Sequence, residues 1–263
     1  MNDKTVSMQV DQRGVATVTL NNAKKHNAFD DTIISRLTAI FREVESNKDV
    51  RVMILAAVGK NFSAGADLGW MKRMMSYSYE ENFEDARALA TMLKTLNFLP
   101  VPTIARVQGA AFGGAVGLVS CCDMAVAASD AGFCLSEVRI GLLPATISPY
   151  VIDAIGLRAA RRYFVTAERF SANTAAALGL VSEVVEEDHL DDEIDKLIAS
   201  LLGNSPAAIR GAKQLVFDVA GREVNDELID LTSERIAEIR VSAEGQEGLT
   251  AFFEKRKPAW SVS

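Results

Sequence analysis

Histidine is almost missing from this chain: His26 and His189 are the only two among 263 residues. Both stand among charged or polar neighbours, which argues against a histidine-based metal site and against a Ser-His-Asp triad. Cysteine is scarce too. Cys121, Cys122 and Cys134 sit in apolar stretches without metal-ligand spacing and read as reduced core thiols of a cytoplasmic protein, with no metal expected. There is no G-x-S-x-G, no P-loop and no G-x-G-x-x-G, so neither a nucleophile elbow nor a phosphate loop is on offer. The opening Met1-Asn-Asp-Lys lacks the apolar run of a signal peptide. Cations are outnumbered, 28 Lys and Arg against 35 Asp and Glu, for a net charge of −7. That balance disfavours a nucleic-acid surface or an anionic-membrane binder.

What is present is apolar. Hydrophobic residues make up 49% of the chain, enough for a sizeable core in one large domain or a domain with an appendage. The organising stretch runs from Arg106 to Asp123, where sixteen uncharged residues include four glycines. It is too short and too glycine-rich to span a membrane. Ile104 and Val107 read as the end of a buried strand, and a buried helix begins near Gly114. Gly113 and Gly114 mark the junction. Glycines at a strand-to-helix turn let backbone N–H groups approach a ligand, and the helix start favours negative charge. Two readings stand for this junction: a tight packing point, or an oxyanion site in which the Gly114 N–H is one donor.

Alternation over 15–20 predicts a strand, joined through Gly14 to a partner at 5–10. Asp30 or Asp31 can cap a helix carrying Ile33, Leu37, Ile40, Phe41 and Val44. Val52 to Val58 reads as a strand buried on both faces. A helix over 80–98 has an apolar face of Phe83, Ala86, Leu89, Leu93 and Leu96, stopped by Pro100 and Pro102. Strands follow at 103–107 and 123–127, then a short helix and an edge strand within 171–185. Beyond 187 the pattern is helical. Leu190, Ile194, Leu197 and Leu201 mark a helix ended by Gly203, Ser205-Pro206 starts a second, and 224–240 and 243–254 complete four. A boundary near 204 separates an α/β body, 1–203, from a helical tail, 204–263. Glu137 is a lone carboxylate in an apolar segment. It is either paired with Arg139 or a neighbour, or a general acid/base with a raised pKa.

Three segments in order, Ser63-Ala-Gly-Ala-Asp-Leu, Val107-Gln-Gly-Ala-Ala-Phe-Gly-Gly-Ala and Ser136-Glu-Val-Arg-Ile-Gly-Leu-Leu-Pro, together with the tail Glu247-Gly-Leu-Thr-Ala-Phe-Phe-Glu-Lys-Arg-Lys-Pro, resemble the crotonase, or enoyl-CoA hydratase/isomerase, superfamily. The resemblance covers essentially the whole chain. It implies an α/β spiral of ββα units with a C-terminal helical trimerisation region, an acyl-CoA substrate with no further cofactor, and a homo-oligomer, either a trimer or a dimer of trimers. It matches Ala66 and Gly114 to two oxyanion N–H donors and Glu137 to a catalytic glutamate. It also matches Ala64, Ala66, Asp67 and Leu68 to a loop that cradles adenine, and Lys24 to a position near the CoA phosphates. Gly113 belongs to the same binding junction. Phe252 and Lys255 match tail residues that reach CoA bound to a neighbouring subunit.

The chain departs from the two-glutamate pattern of the family's hydratases. The first glutamate would fall at 117, where this chain has Gly117. Segments around Glu137 and after Asp67 resemble bacterial methylglutaconyl-CoA hydratases of leucine degradation, in which a similar glycine implies a subgroup trait. The expected activity is hydration of a branched, dicarboxylic enoyl-CoA, with a single-glutamate isomerase as the alternative and an RNA-binding or scaffold role as a third reading. A distal carboxylate would need a cation, for which Lys72, Arg73 and Arg139 are candidates.

Overall fold

The computed structural model describes residues 5–261; residues 1–4, read above for their lack of an apolar run, lie outside it. The chain opens with β1 (Val6–Val10) and β2 (Val15–Leu20), antiparallel with Val6 opposite Leu20. Gly14 turns this hairpin at φ +81, with Asp49 O only 2.4 Å from where a Cβ would stand. Asp30, not Asp31, caps α1 (Asp31–Ser46), its carboxylate accepting the Ile33 N–H at 3.1 Å. This helix buries Ile33, Ile34, Leu37, Ile40, Phe41 and Val44. Every residue of β3 (Val52–Ala57) is buried, as its unbroken apolar run requires.

Then come α2 (Leu68–Met74), α3 (Tyr79–Asn97), β4 (Thr103–Val107), β5 (Ala110–Phe112) and α4 (Gly114–Ser120). A capping box of Ser78 and Glu81 starts α3. Its buried residues are Met92, Leu93 and Leu96, all in the C-terminal half. The expected apolar face is therefore only half used: Phe83 is 53% exposed and stacks on Tyr79 instead. Next are β6 (Met124–Ala128), β7 (Gly132–Cys134), a 3-10 turn at Glu137–Ile140, α5 (Ser148–Thr166), β8 (Phe170–Ser171), α6 (Ala172–Leu178) and β9 (Glu183–Val185). Helix α5 is interrupted at Gly156, φ 77. The last four helices are α7 (Leu190–Leu202), α8 (Pro206–Val219), α9 (Asp226–Val241) and α10 (Ala243–Glu254). The row of α7 that is buried is Leu190, Ile194, Ile198 and Leu202; Leu197 and Leu201, expected inside, lie one position off that row and are half-buried.

Two sheets share the core. The larger has the order β1-β2-β3-β4-β6-β9, parallel from β2 onward; the smaller is β5-β7-β8. Units β4-β5-α4 and β6-β7 followed by α5 each place one strand in either sheet, so the chain winds as a spiral. The spiral of ββα units is as the resemblance implies, while the individual strands of the second sheet, two or three residues long, carry too little periodicity to be placed from sequence.

The tail is tied to the body at the N-terminal ends of the parallel strands. Arg51, just before β3, donates to the carbonyls of Leu202 at 2.9 Å, Asn204 at 3.1 Å and Trp260 at 3.3 Å. Arg210 donates to Val50 O at 3.0 Å. Lys213 reaches Val101 O at 3.1 Å and Asp123 Oδ2 at 2.6 Å, and Asp123 also accepts the Thr103 N–H and hydroxyl. The Lys213 side chain is only 9% exposed. The Asp123 side chain is 26% exposed and keeps both Thr103 donors, so loss of the lysine strands it only in part. Lys213→Met should therefore destabilise the protein by about 1.5 kcal/mol in urea unfolding, the scale of a hydrogen bond to a charged group; a loss below about 0.5 kcal/mol would show this pair to be worth no more than a surface ion pair.

Candidate active site

The loop after β3 is built around Asn27. This residue is 2% exposed and holds φ +53, a left-handed conformation that asparagine tolerates better than most residues. Its amide Nδ2 donates to Val58 O and Asn61 O, both at 2.8 Å, and its Oδ1 accepts the Asn22 N–H at 2.9 Å. Ser63 Oγ donates to Asn27 O, and the Ala64 N–H donates to His26 O. The Phe29 N–H then bonds Gly65 O and the Asp67 N–H bonds Phe29 O, at 2.9 and 3.0 Å. These two bonds flank Ala66, whose own N–H has no partner among the described residues.

The same loop lies against the second strand–helix junction. The Phe112 N–H donates to Ser63 O at 3.0 Å. Gly65, at φ +89, passes so close that a Cβ there would meet Phe112 O at 2.7 Å. Only glycine fits such an approach. Gly113 turns the chain with φ 55, its N–H bonded to Cys134 O, and α4 starts at Gly114. The Gly114 N–H is also without a partner among the described residues. Phe29 closes the arrangement, with Cζ 2.7 Å from where a Gly114 Cβ would stand. Thus Phe29 touches both segments, its backbone bridged to Ala66 and its ring against Gly114, and the N–H groups of Ala66 and Gly114 are both without a partner among the described residues.

Glu137 enters from the other side. A Cβ on Gly113 would lie 3.2 Å from Glu137 Oε1. Its Oε2 is buried with no hydrogen-bond partner among the described residues. Burial pushes its pKa up, opposed in part by a local backbone hydrogen bond. The ion pair with Arg139 allowed for above is not formed: Arg139 donates to Ala167 O at 2.5 Å. No second carboxylate stands opposite. At Gly117 a Cβ would lie 2.3 Å from Ile147 Cγ2 and 2.8 Å from Ile147 Cβ, so any side chain there would collide.

The other expected residues divide. Ala64, Ala66, Asp67 and Leu68 share the loop, and Leu68 is 81% exposed at its edge. Asp67 has structural duties as well: Oδ1 accepts the N–H groups of Gly69 and Trp70, and Oδ2 pairs with Lys25 at 2.8 Å. The Lys25 ammonium, first among the causes, holds the Asp67 carboxyl below its usual pKa. Lys24, next to it, is exposed. Phe252 and Lys255 lie at the end of α10, which packs on α8 and α9, and Phe252 is 76% exposed. Asn27, Phe29 and Ile147 escaped the sequence reading. A lone Asn after His26 carries no periodic signal, and the contact of Ile147 with Gly117 spans two helices.

Two free N–H groups beside an apolar-set carboxyl suit chemistry in which a carbonyl oxygen gains negative charge while a nearby carbon exchanges a proton. Such an arrangement would serve an acid/base enzyme acting next to an activated carbonyl. The family profile described as enoyl-CoA hydratase/isomerase matches residues 11–262. An enoyl-CoA hydratase structure from Shewanella pealeana is 47% identical, with a TM-score of 0.95, covering 98% of this chain and 97% of that one. One from Mycobacterium smegmatis is 33% identical, with a TM-score of 0.92, covering 99% of this chain and 100% of that one. The short-chain-enoyl-CoA hydratase of Clostridium acetobutylicum is 30% identical over 249 residues, 92% of each chain. The chain belongs to the enoyl-CoA hydratase/isomerase family, of crotonase fold, and is an enzyme of that family.

The contact at Gly117 yields a quantitative expectation. Gly117→Ala overpacks the α4–α5 contact and should destabilise by about 1–3 kcal/mol. Adding Ile147→Ala should relieve the clash, so the double variant loses less than the sum of the singles in urea unfolding. Strict additivity would mean that the two side chains do not compete for that space.

Proposed function

We propose that this enzyme hydrates an α,β-unsaturated acyl-CoA with Glu137 as its sole acid/base. The carrying observation is a half-buried carboxyl beside Gly113 whose Oε2 is buried without a partner among the described residues, with the unpartnered N–H groups of Ala66 and Gly114 on the adjoining segments. The thioester oxygen accepts from both N–H groups. Glu137 takes a proton from water as the water oxygen attacks the β-carbon. Negative charge then rests on the thioester oxygen, and the same carboxyl returns a proton to the α-carbon. Each backbone donor of this kind is worth about 3–4 kcal/mol of barrier. A second reading, double-bond isomerisation, is favoured by the same lone carboxyl, since moving one proton between two carbons needs only one base.

The substrate end is read as branched and dicarboxylic. Of the three cations considered for a distal carboxylate, Arg73 is paired with Asp31 and Arg139 with a carbonyl. Lys72 is exposed and uncommitted among the described residues, and is the choice that remains. CoA would lie along Ala64, Asp67 and Leu68 with Lys24 near its phosphates, while Phe252 and Lys255 would serve a neighbouring subunit. The tail offers a surface for that neighbour. No residue of α8 is buried, and α8 and α9 enclose a groove of about 470 Å³ lined by Ala208, Gly211, Leu215, Ile236 and Ile239. A closed trimer, or two stacked trimers, would cover it. Sedimentation should give a trimer or hexamer at micromolar concentration; a monomer with full activity would refute the assembly.

Turnover is read at the enoyl-thioester absorption. Loss of the band from crotonyl- or 3-methylglutaconyl-CoA marks a hydratase, and gain of it from a 3-enoyl-CoA marks an isomerase. Glu137→Gln should lower the rate at least about a hundredfold. It should also stabilise the fold at neutral pH. The folded pKa of Glu137 lies above its unfolded value, so the buried carboxyl favours the native state only while protonated. That contribution is complete below the unfolded pKa, near about 4.3, and is lost as pH rises through the folded pKa. The gain in Tm of Glu137→Gln over the parent should therefore be largest at pH 7 and vanish in acid. Near-normal turnover, or a pH-independent difference, would remove Glu137 from the role.

A further inference from the structure

Glu137 Oε2 has no hydrogen-bond partner among the described residues, and the backbone bond to its carboxyl comes from Glu137 itself, so the position of the carboxyl depends on the backbone that carries it. Within residues 136–142 the backbone bonds are local: the Arg139 N–H to Ser136 O, the Gly141 N–H to Val138 O and the Leu142 N–H to Glu137 O. Among the described residues, one hydrogen bond links residues 136–142 to the rest of the body. It runs from Arg139 Nη2 to Ala167 O.

Ala167 is an unusual acceptor. It is fully buried and caps the C-terminus of α5 at φ 49, ψ 27. Alanine adopts this left-handed conformation only at a cost, so the surrounding structure over-determines it. The same carbonyl accepts a second side-chain bond, from Cys134 Sγ at 3.2 Å. Cys134 ends β7 three residues before Glu137, and Arg139 stands two residues after it. One carbonyl therefore clamps the chain on both sides of the carboxylate, and it occupies the nearest cation with a neutral partner.

We infer that Arg139 is a positioning residue for Glu137, acting through the Ala167 carbonyl, and not the cation that receives a substrate carboxylate. The inference rests on the acid/base reading of Glu137. It predicts that loosening the clamp displaces the carboxyl by fractions of an ångström from the reacting carbons. Misplacement on that scale costs rate rather than binding.

The test is the kinetics of Arg139→Met and Arg139→Lys with both crotonyl-CoA and 3-methylglutaconyl-CoA. Arg139 is exposed at the surface, so both variants should retain the parent circular dichroism spectrum. Arg139→Met should lose about ten- to a hundredfold in kcat on both substrates, with each KM within about twofold, since substrate contacts are untouched. Arg139→Lys keeps a cationic donor and should recover part of the kcat. A rise in KM confined to the dicarboxylic substrate would assign Arg139 to substrate recognition and overturn the inference. An unchanged kcat, or loss of the folded spectrum in both variants, would overturn it too. A parent protein that turns over no enoyl-CoA would refute the acid/base reading itself, an outcome distinct from an active parent with indifferent variants.

Discussion

The site depends on one close approach of two backbones. Residues 63–66 run beside 110–113, bonded by the Ser63 N–H to Ala110 O and the Phe112 N–H to Ser63 O. At Gly65 no Cβ could be admitted, because Phe112 O stands at 2.7 Å from its place. This contact fastens the segment after β3 to the one after β4, and so sets Ala66 beside Gly114. The N–H groups of Ala66 and Gly114 have no partner among the described residues. A peptide donor fixed in this way needs no reorganisation when charge develops, which is why backbone can serve where a mobile side chain would be weaker.

Around that contact one side-chain atom among the described residues is buried without a hydrogen-bond partner. Most buried polar atoms find partners, yet Glu137 Oε2 has none among the described residues. The neighbours that could have paired with it are engaged elsewhere or absent: Arg139 is held by Ala167, and Ile147 fills the space at Gly117. The result is one carboxyl with a raised pKa against an apolar wall. Burial of this kind destabilises the fold when the group is ionised, and the acid/base role proposed for Glu137 would draw on the same raised proton affinity.

The helical tail answers to a different constraint. Arg210 and Lys213 of α8 donate to the carbonyls of Val50 and Val101, just before β3 and β4, and Arg51 of the body donates back to the carbonyls of Leu202, Asn204 and Trp260. Ala66 and Gly114 follow the ends of those same strands. Tail and site therefore sit at opposite ends of the parallel sheet. The apolar side chains left exposed along the tail, among them Val216, Phe252 and Phe253, are surface that this chain alone does not cover.

Much of this was legible from residues taken in order. The unbroken run at Val52–Ala57 announces a buried parallel strand, the 3.6-residue spacing after Asp30 announces α1, and Gly113-Gly114 announces a turn from strand to helix. These are local signals, and period and steric freedom are properties of neighbours in sequence. The isolation of Glu137 was legible only as a choice, paired or free. The sequence by itself determined the long periodic elements such as β2, β3, α1 and the last four helices, the lone carboxylate and the glycine where a second one would have stood. Tertiary structure alone decided that Arg139 bonds to Ala167 and not to Glu137, that Asn27 braces a loop more than thirty residues away, and that Ile147 closes the space over Gly117. The reason is physical: each of these depends on which backbones come within van der Waals contact, and no residue's identity reports what the fold will bring against it.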